Sequence, residues 1–186
     1  MAETKGTGAA ELATLRAHRC TAEQALALFD SLPAVPFAEI TTGRWTGDEL
    51  DTGHALAGVL VASGWYGKQF DDADTVHPLL FAVDGVVFPV DPRRVPLGLA
   101  GRLPMAGVRT GKKVLGYLRF AFQTQRPTAR LRNVEYRGVV SAAMIYDHLP
   151  IVDHFRRVDE RTLLGVMDMR GMTEPYFFIL QQDVAS

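Results

Sequence analysis

From Phe37 onward the chain is a succession of short β-forming runs punctuated by glycine and turn residues, with no long helical pattern between them. "LLFAVDGVVFPV" sets two apolar runs on either side of Asp84-Gly85, the dipeptide that favours a type I′ hairpin turn. "LAGVLVASGWYGKQF" is rich in β-formers and broken by glycine, while "GKKVLGYLRFAFQ" and "TARLRNVEYRGVVSAAMIY" alternate loosely. "RTLLGVMDM" and "PYFFIL" flank the turn-like "RGMTEP" and read as two closing strands. A parallel α/β sheet needs a helix between successive strands, and none is patterned here. Strands at such regular spacing predict an antiparallel meander closed into a barrel.

The opening differs. Ala9 to Arg19 places Leu12 and Leu15 at helical spacing, and "TAEQALALFDSLP" follows. Thr21 with Gln24 is a capping-box pattern, Ala25, Leu28 and Phe29 form an apolar stripe, and Pro33 and Pro36 stop it. Residues 1–36 are expected as a helical segment packed outside residues 37–186, the whole being one folding unit. "DPRRVPLGLAGRLPMAG" carries too many prolines for a central strand and is too apolar for a solvated linker. A loop covering an opening suits it.

The single cysteine, Cys20, excludes an internal disulfide framework and a cysteine zinc cluster. No apolar run reaches the ~20 residues that span a bilayer. The first fifteen residues lack a basic region followed by a continuous apolar one, so a cytoplasmic location is expected. The net charge of −1 is unevenly spread: Ala100 to Arg137 holds nine cations against Glu135, 9 − 1 = +8, leaving −9 elsewhere. Such asymmetry fits an anion- or membrane-facing surface, or strand-borne arginines that meet acids elsewhere in the fold.

"TGRWTG" puts Trp45 between two glycines at the first expected strand. Gly-x-Trp there resembles the entrance of lipocalin-like barrels, where the tryptophan closes one end. With "SGWYGKQF", "VHPLLF" and "VEYRGVVSAAMIYDHLPIVDHFRRVDERTLLGVMDMRG", the chain from Gly43 to Gly171 resembles the bacterial GXWXG family. Members of that family carry a companion C-terminal domain of unknown function, number 4334. The resemblance implies a mainly β, antiparallel, lipocalin-like (calycin-type) barrel with N-terminal helices, and binding of lipids or similar apolar ligands. It brings no catalytic residues.

The expected ligand is therefore a small apolar or amphiphilic molecule, a phospholipid or fatty acyl chain first, held without chemistry. Trp45, Trp65, Tyr66 and Phe120 are the wall or floor candidates. Lys112, Lys113, Arg119, Arg126 and Arg132 are the cations for an anionic headgroup or membrane surface. Inward and outward positions depend on the barrel register. An alternative is an enzyme using Asp153, His154 and Arg157, which lie in a polar cluster from Asp147 to Asp159; a salt-bridged strand or turn at a barrel rim is the plainer reading. In an extended segment Asp153 and Arg157 share one face and His154 the other. Haem is a second alternative, with His77 or His154 as proximal ligand. No HExxH, P-loop, dinucleotide fingerprint or nucleophile elbow is present, so no metal and no other cofactor is expected. Aromatics interleaved with arginines are read as core or pocket lining, and no nucleic-acid partner is expected.

Overall fold

The computed structural model describes residues 3–95 and 122–183. Helices α1 (Glu3–Ala17) and α2 (Ala22–Ser31) come first, and a short α3 (Val59–Ser63) separates the first two strands. The strands are β1 (Gly43–Glu49), β2 (Trp65–Phe70), β3 (Val76–Val83), β4 (Val86–Pro89), β5 (Ala129–Tyr136), β6 (Val139–Tyr146), β7 (Ile151–Arg157), β8 (Thr162–Met169) and β9 (Tyr176–Gln182). Every pairing is antiparallel. The ring β1-β2-β3-β5-β6-β7-β8-β9 returns to β1 and closes an eight-stranded barrel, with β4 attached as a hairpin on β3. Closure pairs each ring strand on both sides, β3 and β5 meeting at Val76 and Ala129, and so limits the strand template an all-antiparallel chain exposes.

Turn chemistry sets the register. Asp84 and Gly85 both adopt left-handed backbone, φ +50° and +78°, joining β3 to β4 as the dipeptide predicts. Arg137-Gly138 repeats the device between β5 and β6, with φ +52° and +76°. Side chains then alternate across the wall. In β8 and β9, Leu163, Met167, Tyr176, Phe178 and Leu180 belong to the interior cluster. Their neighbours Leu164, Val166, Phe177 and Ile179 join a second cluster outside, under Leu12 of α1 and Ala25, Leu28 and Phe29 of α2. The capping box forms: Gln24 N–H donates to Thr21 Oγ1 at 3.1 Å, and Thr21 N–H donates to Gln24 Oε1 at 2.9 Å.

The link between helices and barrel is built into the wall. β6 and β7 pair only from Ala143 to Ile145, opposite His154 to Val152. Where they part, Pro33–Val35 enters between them. Arg157 N–H donates to Pro33 O at 3.0 Å, and Ala142 N–H donates to Val35 O at 2.7 Å. Ser141 Oγ, itself buried, accepts from Val35 N–H at 3.0 Å and donates to Phe155 O at 2.7 Å. Val35 and Ile40, on either side of residue 36, both lie in the interior cluster.

One expected β run is partly helical. "VLVAS" forms α3 because Gly58 and Gly64 bracket it in left-handed backbone, φ +77° and +93°, and Val59 seats in the interior cluster. The strand begins only at Trp65. Most of "GKKVLGYLRFAFQ", and the proline-glycine segment beyond Val95, lie outside the described residues. No helix among the described residues is long and apolar enough to cross a membrane.

Candidate functional site

The alternation of β7 turns Asp153 and Phe155 inward and sends His154 and Arg156 out. Opposite, β2 is irregular: its register against β3 shifts on both sides of Gly67. That bulging puts Trp65, Lys68 and Phe70 on the interior side at spacings of three and then two, which strict alternation from Trp65 would forbid. Lys68 Nζ consequently meets Asp153 Oδ2 at 2.7 Å, with side chains only 3% and 1% exposed. Nζ also donates to Pro78 O at 3.2 Å. It lies 4.8 Å from the ring centre of Phe178 and 5.8 Å from those of Trp65 and Tyr146, an arrangement that adds cation–π attraction in place of water.

Burial pushes the Asp153 carboxyl upward, and the Lys68 ammonium partly offsets this. Its second oxygen, Oδ1, is buried and receives no hydrogen bond from any described residue. Burial, with the Asp153 charge adding to it, drives Tyr146 well above the ordinary phenol range, so its ring remains a neutral wall.

Aromatic rings run past this pair as a continuous column. Trp45 contacts Phe70 at 6.4 Å between centroids, Phe70 contacts Phe155 at 5.8 Å, and Phe155 contacts Phe178 at 6.1 Å. Phe178 then meets Trp65 at 6.0 Å and Tyr176 at 6.4 Å, and Tyr176 reaches His54 at 5.5 Å. At that end Glu49 is shared. Its carboxylate accepts the Tyr176 hydroxyl at 2.6 Å and Leu60 N–H at 3.2 Å, with Gly58 N–H as a third donor. The carboxylate thereby fastens α3 to the barrel end.

The comparisons with known proteins agree with this architecture. A family model described as "GXWXG protein" matches residues 27–85, and one described as "Domain of unknown function (DUF4334)" matches residues 127–182. A solved structure titled "Crystal structure of protein from Thermomonospora curvata" is 34% identical over 95% of this chain and 99% of that one, with a TM-score of 0.70. The chain belongs to the GXWXG family. No curated protein matches it.

The family's eponymous residues have distinct tasks. Gly43 enters β1 at φ +88°. Trp45 is buried in the interior cluster, and its indole N–H finds no acceptor among the described residues. Gly47 makes room for a neighbour: a Cβ there would stand 2.3 Å from the Trp65 ring. Trp65 donates its indole N–H to Gly67 O at 3.0 Å. The two glycines thus differ: Gly43 supplies left-handed backbone at the start of the strand, and Gly47 serves ring packing.

Other expected site residues are dispersed. Tyr66 is half-buried and donates its hydroxyl to Asp183. Asp153, His154 and Arg157 do not converge. His154 lies outside the barrel, stacked on Tyr136 at 3.9 Å, and Arg157 pairs with Glu39 at 2.7 Å. Burial pushes the His154 pKa down to about 4. His77, half-buried on β3 opposite Gln69, is also depressed by burial. Among the described residues no three His, Cys, Asp or Glu side chains gather to hold a metal. Arg132 pairs with Asp74 at 2.7 Å, and its neighbours Arg130 and Arg137 pair with Asp147 and Asp30. These three arginines meet acids elsewhere in the fold. Arg126 is exposed; Lys112, Lys113, Arg119 and Phe120 lie outside the described residues.

Sequence reasoning included Asp153 but missed Lys68. A signal existed in "YGKQF": Phe70 is apolar enough to face inward, and Lys68, two positions earlier, shares its face.

Proposed function

We propose that the barrel binds a small amphiphilic molecule with an apolar chain, of the lipid or fatty-acyl kind, and performs no chemistry on it. One observation carries this reading. An interior walled by aliphatic and aromatic side chains contains, among the described residues, a buried ion pair, Lys68–Asp153, with one oxygen unused by any of them. Ligand sites combine an apolar body with a few placed polar groups in this way, and an eight-stranded barrel is of the size that either fills with its own side chains or holds one small ligand. A headgroup role for the basic segment rests on Arg126 and on Lys112, Lys113 and Arg119, which lie outside the described residues, since the arginines of β5 are engaged with acids. An anionic membrane surface would be met there.

Native mass spectrometry of freshly purified protein, followed by solvent extraction, tests the reading. A co-purifying species of lipid mass that is released by organic solvent is expected. A bare chain mass that persists after incubation with a total lipid extract would overturn it. Lys112→Glu with Lys113→Glu should weaken binding to anionic vesicles in a salt-dependent manner, while neutral vesicles should show no change.

A further inference from the structure

The pair of charges inside the barrel also says what kind of polar end the ligand carries. We infer that the ligand presents an uncharged group able both to donate and to accept a hydrogen bond, a hydroxyl or a primary amide, seated between Lys68 Nζ and Asp153 Oδ1. This rests on the reading above that the barrel interior holds a ligand.

The argument is one of charge and valence. Lys68 and Asp153 lie 2.7 Å apart with side chains almost wholly withdrawn from water, so the pair is already close to neutral as a unit. An anionic head drawn to Lys68 would sit beside the Asp153 carboxylate in surroundings of low dielectric, where repulsion is poorly screened. A cationic head drawn to Asp153 would face the ammonium in the same manner. A purely apolar end would leave Oδ1 buried without a donor, which is costly.

A hydroxyl answers both partners. It donates to Oδ1 and accepts from the ammonium, two of whose three hydrogens go to Asp153 Oδ2 and Pro78 O. The rings of Trp65, Tyr146 and Phe178 around Nζ supply apolar contact for the carbons next to that head. Fatty alcohols, monoacylglycerols and primary fatty amides have this chemistry; ionised fatty acids do not.

The test is calorimetric titration of the full-length protein with decanol, decanoate and decyl methyl ether at about pH 8, where decanoate is ionised. The three share a chain and differ in the head: donor and acceptor, anion, and acceptor only. Decanol is expected to bind about tenfold or more tightly than either of the others, the scale of a hydrogen bond to a charged group. Decanoate binding as well as decanol, or the ether matching it, would overturn this inference while leaving an amphiphile-binding barrel in place. If none of the three binds, the proposed function itself fails with it. In the double variant Lys68→Met/Asp153→Leu, decanol and the ether should bind alike. Should that variant not fold, the ranking on the unaltered protein still decides.

Discussion

Removing one member of the Lys68–Asp153 pair and removing both should have opposite consequences. Lys68→Met alone strands a buried carboxylate, and urea denaturation should show a loss of about 3–5 kcal/mol. Lys68→Met/Asp153→Leu replaces both charges by apolar groups of similar size, and its stability should lie within about 1 kcal/mol of the original or above it. His154 makes a second prediction at this scale. Its folded pKa of about 4 lies below the ordinary 6.5, so the unfolded chain binds more protons across that interval. Stability is then full above about pH 6.5 and falls as the pH drops toward 4. At about 1.4 kcal/mol per pH unit, reduced by solvent at the edge of the ring, the contribution is about 2 kcal/mol. His154→Phe keeps the stack on Tyr136 and should flatten the stability profile between pH 7 and pH 4.5; an unchanged slope would show that other groups carry it. Asp153 was legible in the sequence as a member of the polar cluster from Asp147 to Asp159, but its place inside the barrel was not. Lys68 was missed because the bulge at Gly67 breaks the two-residue period counted forward from Trp65; only counting back from Phe70 places it inward.

Among the elements, β2 and α3 depend most on close approach. A Cβ on Gly67 would stand 1.9 Å from Trp45 O, which is backbone and cannot swing aside. Gly67→Ala should therefore cost several kcal/mol, on the order of 3, or abolish folding, whereas Gly47→Ala meets a ring and should cost about 1–3 kcal/mol. Thermal melts of the two variants should rank them in that order. Glu49→Ala removes the acceptor that ties α3 to Tyr176, and hydrogen exchange should quicken at Gly58 and Leu60 before it changes in β8. The hairpin at Asp84-Gly85, the capping box at Thr21 and the strands β8 and β9 were all readable, since each is written in contiguous residues. The start of β2 was not: apolar, β-branched "VLV" fits helix or strand equally until the flanking glycines take left-handed backbone.

At the scale of the molecule, the closed ring followed from strand spacing alone, but the junction at Pro33–Val35 could not, because its partners lie over a hundred positions away. Its hydrogen bonds to Ser141 join residues separated by 106 positions. Contacts that distant are slow to form, since the chain's ends must meet before anything rewards the meeting. A chain emerging from synthesis offers this peptide early, while β6 and β7, which it separates, appear last but two. Strand pairing joins β6 to β7 over only three residues, and the rest of that seam is closed by a peptide from the other end of the sequence. The same piece that fastens the helices is thus the keystone of the ring, holding two strands together where they do not hold each other.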